Sequence, residues 1–353
     1  MITRKIRIFL ISILIIPLSL PHLVANGCDP DEPFVSLSVN ETGKRIDVLM
    51  DGSIFTSYCW PDNVYKPILY PVYTSGGTEI TRGFPLRPKE GERNDHIHQA
   101  GVWLNYGNVN GYDFWGNGHR GFKEPNGGVI KHLLIDELSQ GQGEGVIVTR
   151  ESWIDPEGKE LLSERSEYHF IARGSLRIID RITRLTATGG KVEMKDTKEG
   201  MFGIRVARLL ELPSDEYLAL LDPDGKPGTD KVLNNYVTGN YRSSEGVEGE
   251  AVWGTRAAWM HLYGCIGDEK VSLVICDHPE NQSYPTYWHA RGYGLFAANP
   301  LGWTDFTRGK ESLNFSLQSG MSVTFRYRVI VGSGSYLQDE TINALADDFA
   351  ARY

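Results

Sequence analysis

The segments LLSERSEYHFIA (residues 161–172) and SLRIIDRITRLTA (residues 175–187), joined by Arg173-Gly174, decide the fold. Apolar and polar residues alternate along both. That is the pattern of strands with one packed face and one solvated face. A helix would instead repeat its apolar residues every three or four positions. Working outward, Val129–Leu138 and Gly145–Ile154 carry the same alternation, and Asp155-Pro156-Glu157-Gly158-Lys159 makes a turn. Upstream, Phe34–Val39, Arg45–Met50 and Ser53–Tyr58 read as strands, with a strong hairpin turn at Asp51-Gly52. Downstream, strands are predicted at Val192–Asp196, Ala257–Cys265, Val271–Cys276, Leu313–Leu317 and Ser322–Val331. Leu210–Glu250 is weakly patterned. Only Leu337–Arg352 has helical character, with Ile342, Leu345, Ala346 and Phe349 on one stripe. There is no internal repeat or low-complexity segment. Residues 34–353 therefore predict a single all-β domain of antiparallel sheets with a short C-terminal helix.

The first residues read as a targeting segment. Arg4, Lys5 and Arg7 precede an apolar run from Ile8 to Leu20, too short to span a bilayer comfortably. The stretch Leu23-Val24-Ala25-Asn26-Gly27-Cys28 resembles a bacterial lipoprotein signal, with residues 1–27 removed and Cys28 becoming the lipidated N-terminus. Residues 28–33, which include Asp29, Asp31 and Glu32, would be a solvated tether. The expected location is the periplasm or the outer-membrane surface, with the membrane touched only through that lipid.

Of 353 residues, 41% are hydrophobic and 23% charged, an ordinary globular composition. The formal net charge is −9, and removing residues 1–27 takes away three positive charges and leaves −12. An acidic chain without basic runs is a poor partner for nucleic acid. Thirty-nine Gly suit many turns, and Trp, Tyr and Phe are plentiful enough to line a sugar site. Beyond Cys28 the cysteines are Cys59, Cys265 and Cys276. A two-residue loop at Asp268-Glu269 would set Ser272 opposite Cys265, so no disulfide is predicted.

Four separated patches share a polar composition at strand ends. The first is Asp95/His96/His98, where a strand would aim both imidazoles at one face. The second is Asp196/Lys198/Glu199 with Arg205. The third is His278/Asn281. The fourth is Trp288/His289/Arg291/Tyr293 with Asn299. The Gly-rich stretch from Asn105 to Gly128, with Trp115, His119 and Arg120, reads as an ordered loop over a site. Two chemistries fit a convergence of these patches. One is acid–base work on a sugar, with Glu199 as general base or nucleophile and His96, His98 and His289 as acids or ligands. Arg291, Lys198 and Asn281 would then hold hydroxyls or a carboxylate, and Trp288 or Trp115 would stack on a sugar face. The other is a divalent metal held by His96, His98, Glu199 and His289. No nucleophile elbow, phosphate loop, His-Glu-x-x-His or dinucleotide fingerprint is present.

In order along the chain, Asp95-His96-x-His98-x-x-Gly101-x-Trp103, Asp196-Thr197-Lys198-Glu199-Gly200 and Trp253-Gly254 resemble motifs of the bacterial PmoA family. So do Asp277-His278-Pro279-x-Asn281, Trp288-His289-x-Arg291-x-Tyr293-Gly294 and Asn299-Pro300. Where that family often has His-His-Arg, this chain has His98-Gln99-Ala100. The resemblance implies a large antiparallel β-sandwich similar to the galactose-mutarotase-like supersandwich, and a carbohydrate role. It does not identify the reaction; the expected function is a secreted or surface carbohydrate-active enzyme acting on a glycan or sugar derivative by hydrolysis, elimination or epimerisation. The alternatives are a glycan-binding lipoprotein without catalysis, and a metal-dependent oxygenase as that family's "methane oxygenase" label suggests.

Overall fold

A computed structural model describes residues 32–116 and 126–353. The targeting segment, Cys28, most of the tether, His119 and Arg120 lie outside the described residues.

Two large antiparallel sheets pack face to face. The nine-stranded sheet runs, edge to edge, Tyr287–Arg291, Leu295–Asn299, Gly200–Arg205, Val102–Tyr106, Ile68–Val72, Ser53–Cys59, Arg45–Met50, Phe34–Asn40 and Gly141–Gln142. The eight-stranded sheet runs Asn240–Ser243, Trp259–Ile266, Glu269–Asp277, Ser322–Ser333, Leu176–Ala187, Glu160–Arg173, Glu144–Ile154 and Val129–Ser139. The two segments quoted first are neighbours, paired from Leu176↔Arg173 to Ala187↔Leu162. These are the antiparallel sheets that the alternation predicts, packed as a β-sandwich. The weakly patterned stretch contains the hairpin Tyr217–Leu221/Pro227–Leu233 and the edge strand Asn240–Ser243.

The inward side chains of both sheets form one core. Phe55 meets Phe170 edge-on at 6.4 Å, and Phe202 stacks on Tyr327 at 4.9 Å. Burying each such ring contributes about 2–3 kcal/mol. The outer face of the eight-stranded sheet is covered by the helix Asp339–Arg352, which buries Ile342, Leu345 and Phe349 against Ile178, Val274 and Ile330. Arg328 ties this helix down. Its guanidinium grips Asp180 at 2.6 and 2.7 Å and donates to the Leu345 carbonyl at 2.7 Å.

Two local expectations change. The Cys265 hairpin turns at Gly267-Asp268, one residue earlier than expected, because Gly267 takes the left-handed conformation that the turn requires. Cys265 therefore faces Lys270, and Ser272 faces Tyr263. Cys59, Cys265 and Cys276 are free thiols. Among the described residues no helix is long and apolar enough to cross a membrane.

Candidate functional site

The site lies on the outer face of the nine-stranded sheet, at its Tyr287–Arg291 edge. Alternation sorts the side chains there. Trp288, Ala290, Phe296, Ala298, Phe202, Ile204, Val102 and Leu104 point into the sandwich core. Their neighbours, His289, Arg291, Leu295, Ala297, Gly203, Arg205 and Trp103, point outward. Register aligns His289, Ala297, Gly203 and Trp103 in one row across four strands. Gly203 is small by necessity. A Cβ there would lie 2.8 Å from Cζ2 of Trp103, whose indole is fully buried.

His96 and His98 stand above this floor, but on a turn and not on a strand. His96 has a left-handed φ of 43°, and the Gln99 amide donates to the His96 carbonyl at 2.9 Å. Distant residues pay for that conformation. The buried Arg82 donates to Asp95 Oδ1 at 2.8 Å, to the His96 carbonyl at 3.0 Å and to the Gln99 carbonyl at 2.9 Å. The buried Arg205 reaches Asp95 Oδ1 at 2.7 Å and Gln99 Oε1 at 2.5 Å. Lys66 donates to the His98 carbonyl at 2.7 Å from below. The turn brings the two imidazoles to 5.8 Å, and His96 stacks on Tyr293 at 4.7 Å with the rings 4° from parallel.

Glu199 enters from a loop that precedes the strand Gly200–Arg205. Asp196 fixes that loop by accepting from the Thr304, Leu313 and Asn314 amides at 2.7–3.0 Å. Asn299 donates to the Thr197 carbonyl at 2.9 Å, and the Gly107 amide donates to the Glu199 carbonyl at 2.7 Å. The Glu199 carboxylate pairs with Lys198 Nζ at 2.7 Å. From the loop after Val102–Tyr106 come Asp113 and Trp115. Asp113 Oδ1 accepts from the Trp115 and Gly116 amides at 2.7 and 3.0 Å. Trp115 packs on Trp103 at 5.4 Å and lies nearly parallel to His289 at 6.3 Å.

These parts enclose a cavity of about 470 Å³, lined by His96, His98, Gln99, Asp113, Trp115, Gly116, Lys198, Glu199, His289, Arg291 and Tyr293. That volume falls in the range of about 300–1,000 Å³ found for small-molecule sites. A second cavity of about 470 Å³ opens beside Trp60 and His132 and contains none of the residues singled out from sequence.

The electrostatics separate the groups. Burial, reinforced by Lys66, His96, Arg82 and Arg205, pushes the His98 imidazole down to about 2. Burial also pushes His289 down to about 3, against a backbone hydrogen bond with Lys198. Both rings are therefore neutral near pH 7 and too weak as bases to take up a proton there, so neither acts as an imidazolium acid. Burial and the nearby Glu199 hold the Asp113 carboxyl above its ordinary range, against its two amide donors. Burial lowers the Lys66 amine to about 7, although Asp113 opposes that shift. A carboxyl held high beside a second carboxylate and neutral imidazoles is an arrangement able to move protons.

Several residues singled out from sequence lie elsewhere or do other work. Trp288 is fully buried in the core, because it alternates with His289 and cannot share its face; its indole donates to the Ala257 carbonyl at 3.1 Å. It therefore offers no stacking surface to a ligand. His278 meets Phe349 edge-on at 5.0 Å beneath the C-terminal helix. Asn281 bonds Asp277 at 2.7 Å and both backbone groups of Arg326. Both lie on the far side of the sandwich, so the third patch does not converge with the others. Arg205 and Asn299 are buried scaffold beneath the cavity. Gln99, Asp113 and the positioning pair Arg82 and Lys66 escaped sequence reasoning. Asp113 could have been found as an acidic residue two positions before Trp115 in the predicted site loop. His96, His98, Glu199 and His289 share the cavity, yet among the described residues no three His, Cys, Asp or Glu side chains are grouped to hold a metal ion.

Residues 45–347 match the profile of DUF6807, described as a family of unknown function. The chain belongs to the DUF6807 family. This overturns the resemblance to the PmoA family. The short motifs behind that resemblance are rich in His, Asp, Trp and Gly, residue types that any polar cavity at a sheet edge uses. No curated protein matches the DUF6807 chain. Among solved structures, it is similar to the GH36 α-galactosidase AgaB from Geobacillus stearothermophilus, with 10% identity and a TM-score of 0.38 over 84% of this chain and 41% of that one. The galactosidase domain of the α-galactosidase-sucrose kinase AgaSK gives 8% identity and a TM-score of 0.37, over 84% and 41%. The HI1317 structure gives 8% identity and a TM-score of 0.25, over 85% and 99%. The DUF6807 chain thus spans about two fifths of the length of the galactosidase structures it resembles.

Proposed function

We propose that this DUF6807 protein binds a sugar in the cavity between His96 and Arg291 and acts on it by acid–base chemistry. The observation that carries the reading is the meeting of Glu199, Asp113 and two neutral imidazoles with the rings of Trp115 and Tyr293 in one cavity. The rings of Trp115 and Tyr293 give the cavity apolar walls, and its polar groups suit the hydroxyls of a sugar. Glu199 takes the proton, and Asp113, whose carboxyl is held high, returns one. His98 and His289 wall the site as neutral rings. The reaction class is hydrolysis, elimination or epimerisation.

The test is incubation of the mature protein with plant and host oligosaccharides and oxidised sugars, with products read by mass spectrometry and binding by calorimetry. A product that depends on Glu199 is the expected result. Binding with no product after long incubation would reduce the protein to a glycan-binding module. No binding and no product across the panel would overturn the reading.

We further propose an exported lipoprotein anchored through Cys28, supported by the basic and apolar run before it. Labelled palmitate should enter the wild-type chain in its bacterial host and be absent from Cys28→Ser.

A further inference from the structure

Arg291 differs from the other arginines around the site. Arg82 and Arg205 share Asp95. Arg93, nearby, bonds Glu211 at 2.8 Å and Glu216 at 3.0 Å. Arg291 lines the cavity, yet its guanidinium makes no hydrogen bond and no ion pair among the described residues. Its side-chain contacts are aromatic: the guanidinium carbon lies 5.8 Å from the Trp253 ring and 5.8 Å from the Tyr293 ring. None of its nitrogens is sealed from solvent, so its N–H groups remain available to a ligand.

The position is itself rigid. Arg291 leaves the same strand face as His289, two residues away. Tyr293 is clamped between the His96 ring at 4.7 Å and the buried Arg205 guanidinium at 4.9 Å. A guanidinium flanked by rings is partly stripped of water and partly oriented, which lowers the cost of pairing it with an anion. The carboxylates around the cavity have other partners, and Asp113 accepts from the Trp115 and Gly116 amides. Asp95 serves two buried arginines, and Glu199 pairs with Lys198. A neutral sugar would leave the fork of donors on Arg291 facing only hydroxyls. A planar carboxylate matches it with two parallel hydrogen bonds.

We propose that the ligand of this cavity is an acidic sugar, a uronate, whose carboxylate is held by Arg291, with Lys198 as the second cation. The proposal rests on the carbohydrate reading above and names the substrate class within it. It also accounts for an acidic protein binding an acidic ligand: recognition is local, through one unpaired guanidinium, and not through overall charge.

The experiment is calorimetric titration of the mature protein with matched probes. They are galacturonate and glucuronate oligosaccharides, neutral galacto- and gluco-oligosaccharides of equal length, and 6-sulfated galactose oligosaccharides. The uronates should bind about ten- to a hundredfold more tightly than their neutral counterparts, as a charge-assisted pair supplies. Arg291→Gln should bring the uronate down to the affinity of its neutral counterpart. Arg291→Lys, which keeps the charge but loses the fork, should lose most of the advantage and serves if the glutamine variant does not fold. Neutral sugars bound as tightly as uronates would overturn the proposal and leave the carbohydrate reading standing. So would an unchanged uronate preference in Arg291→Lys. Sulfated sugars bound more tightly than uronates would overturn the carboxylate assignment. Binding of no sugar at all would remove the carbohydrate reading and this proposal together.

Discussion

Asp95 Oδ1 lies 2.7 Å from the fully buried guanidinium of Arg205, and the same oxygen takes a second hydrogen bond from the buried Arg82. One carboxylate thus bonds two cations whose other hydrogen bonds go only to carbonyl and amide oxygens. Through Asp95 and Gln99 the two arginines fix the turn that carries His96 and His98. Burial alone would raise the Asp95 pKa. Its hydrogen bond with His96 and the charges of Arg205 and Arg82 outweigh that and hold the carboxyl well below the usual range.

Removing this anion should be severe. Asp95→Ala leaves two buried guanidinium groups without a hydrogen-bonded carboxylate and should cost about 3 kcal/mol, measured by urea denaturation at neutral pH. Asp95 has a depressed folded pKa, so its contribution is present above its unfolded value of about 3.9 and lost as the pH falls below it. The wild-type advantage over Asp95→Ala should therefore narrow only in strong acid. A loss under about 0.5 kcal/mol, typical of an exposed surface pair, would contradict this role.

His289 gives a pH dependence in a different window. Its folded pKa, about 3, lies below the unfolded value of about 6.5. The stability it contributes is full above pH 6.5 and falls as the pH drops toward 3, by up to about 1.4 kcal/mol per unit. His98 and His261 are depressed in the same sense by burial and add to the slope. Unfolding free energies measured from pH 7 to pH 4 should decline, and His289→Asn should remove one group's share. Imidazole resonances of His289 already protonated at pH 5 would refute the assignment.

Gly203→Ala tests the floor of the cavity. The added methyl would stand 2.8 Å from the Trp103 indole, which is fully buried and has nowhere to retreat. A cost of about 1–3 kcal/mol is expected. Indole emission should shift, and sugar affinity should fall with it. A variant as stable as wild type with unchanged emission would show that the close approach matters little.

Glu199→Gln keeps the shape of the side chain and removes its charge. It gives up a half-exposed pair with Lys198 worth under about 1 kcal/mol, so stability should hardly change. Turnover, once a substrate is found, should fall by about 10²- to 10⁴-fold. His98→Ala should also impair it, with the fold verified by circular dichroism. Full activity in both variants would end the catalytic assignment.

Much of the sandwich was written in local pattern. Alternation in residues 161–187 needs a sheet with one packed face, and the stripe of Ile342, Leu345 and Phe349 needs a covering helix. Residue chemistry also pointed to the right neighbourhoods. His98, Glu199, His289, Arg291 and Tyr293 come from three distant segments, and all line one cavity. Alternation, applied more strictly, would also have separated Trp288 from His289.

Tertiary structure alone decided the rest. His96 and His98 read as a strand because nothing local announces a left-handed histidine. That conformation is held by Arg82, Arg205 and Lys66, contacts made only after the sheet assembles. The third patch has the same residue types as the others, yet its strand lies in the opposite sheet, and a sequence does not state which sheet a strand joins. The neutrality of His98 and His289 is likewise a property of burial among positive charges, not of the residues themselves. The sequence determined which faces are apolar, because periodicity is a local property of the chain. The fold determined which polar groups meet and in what charge state, because contact and desolvation are not.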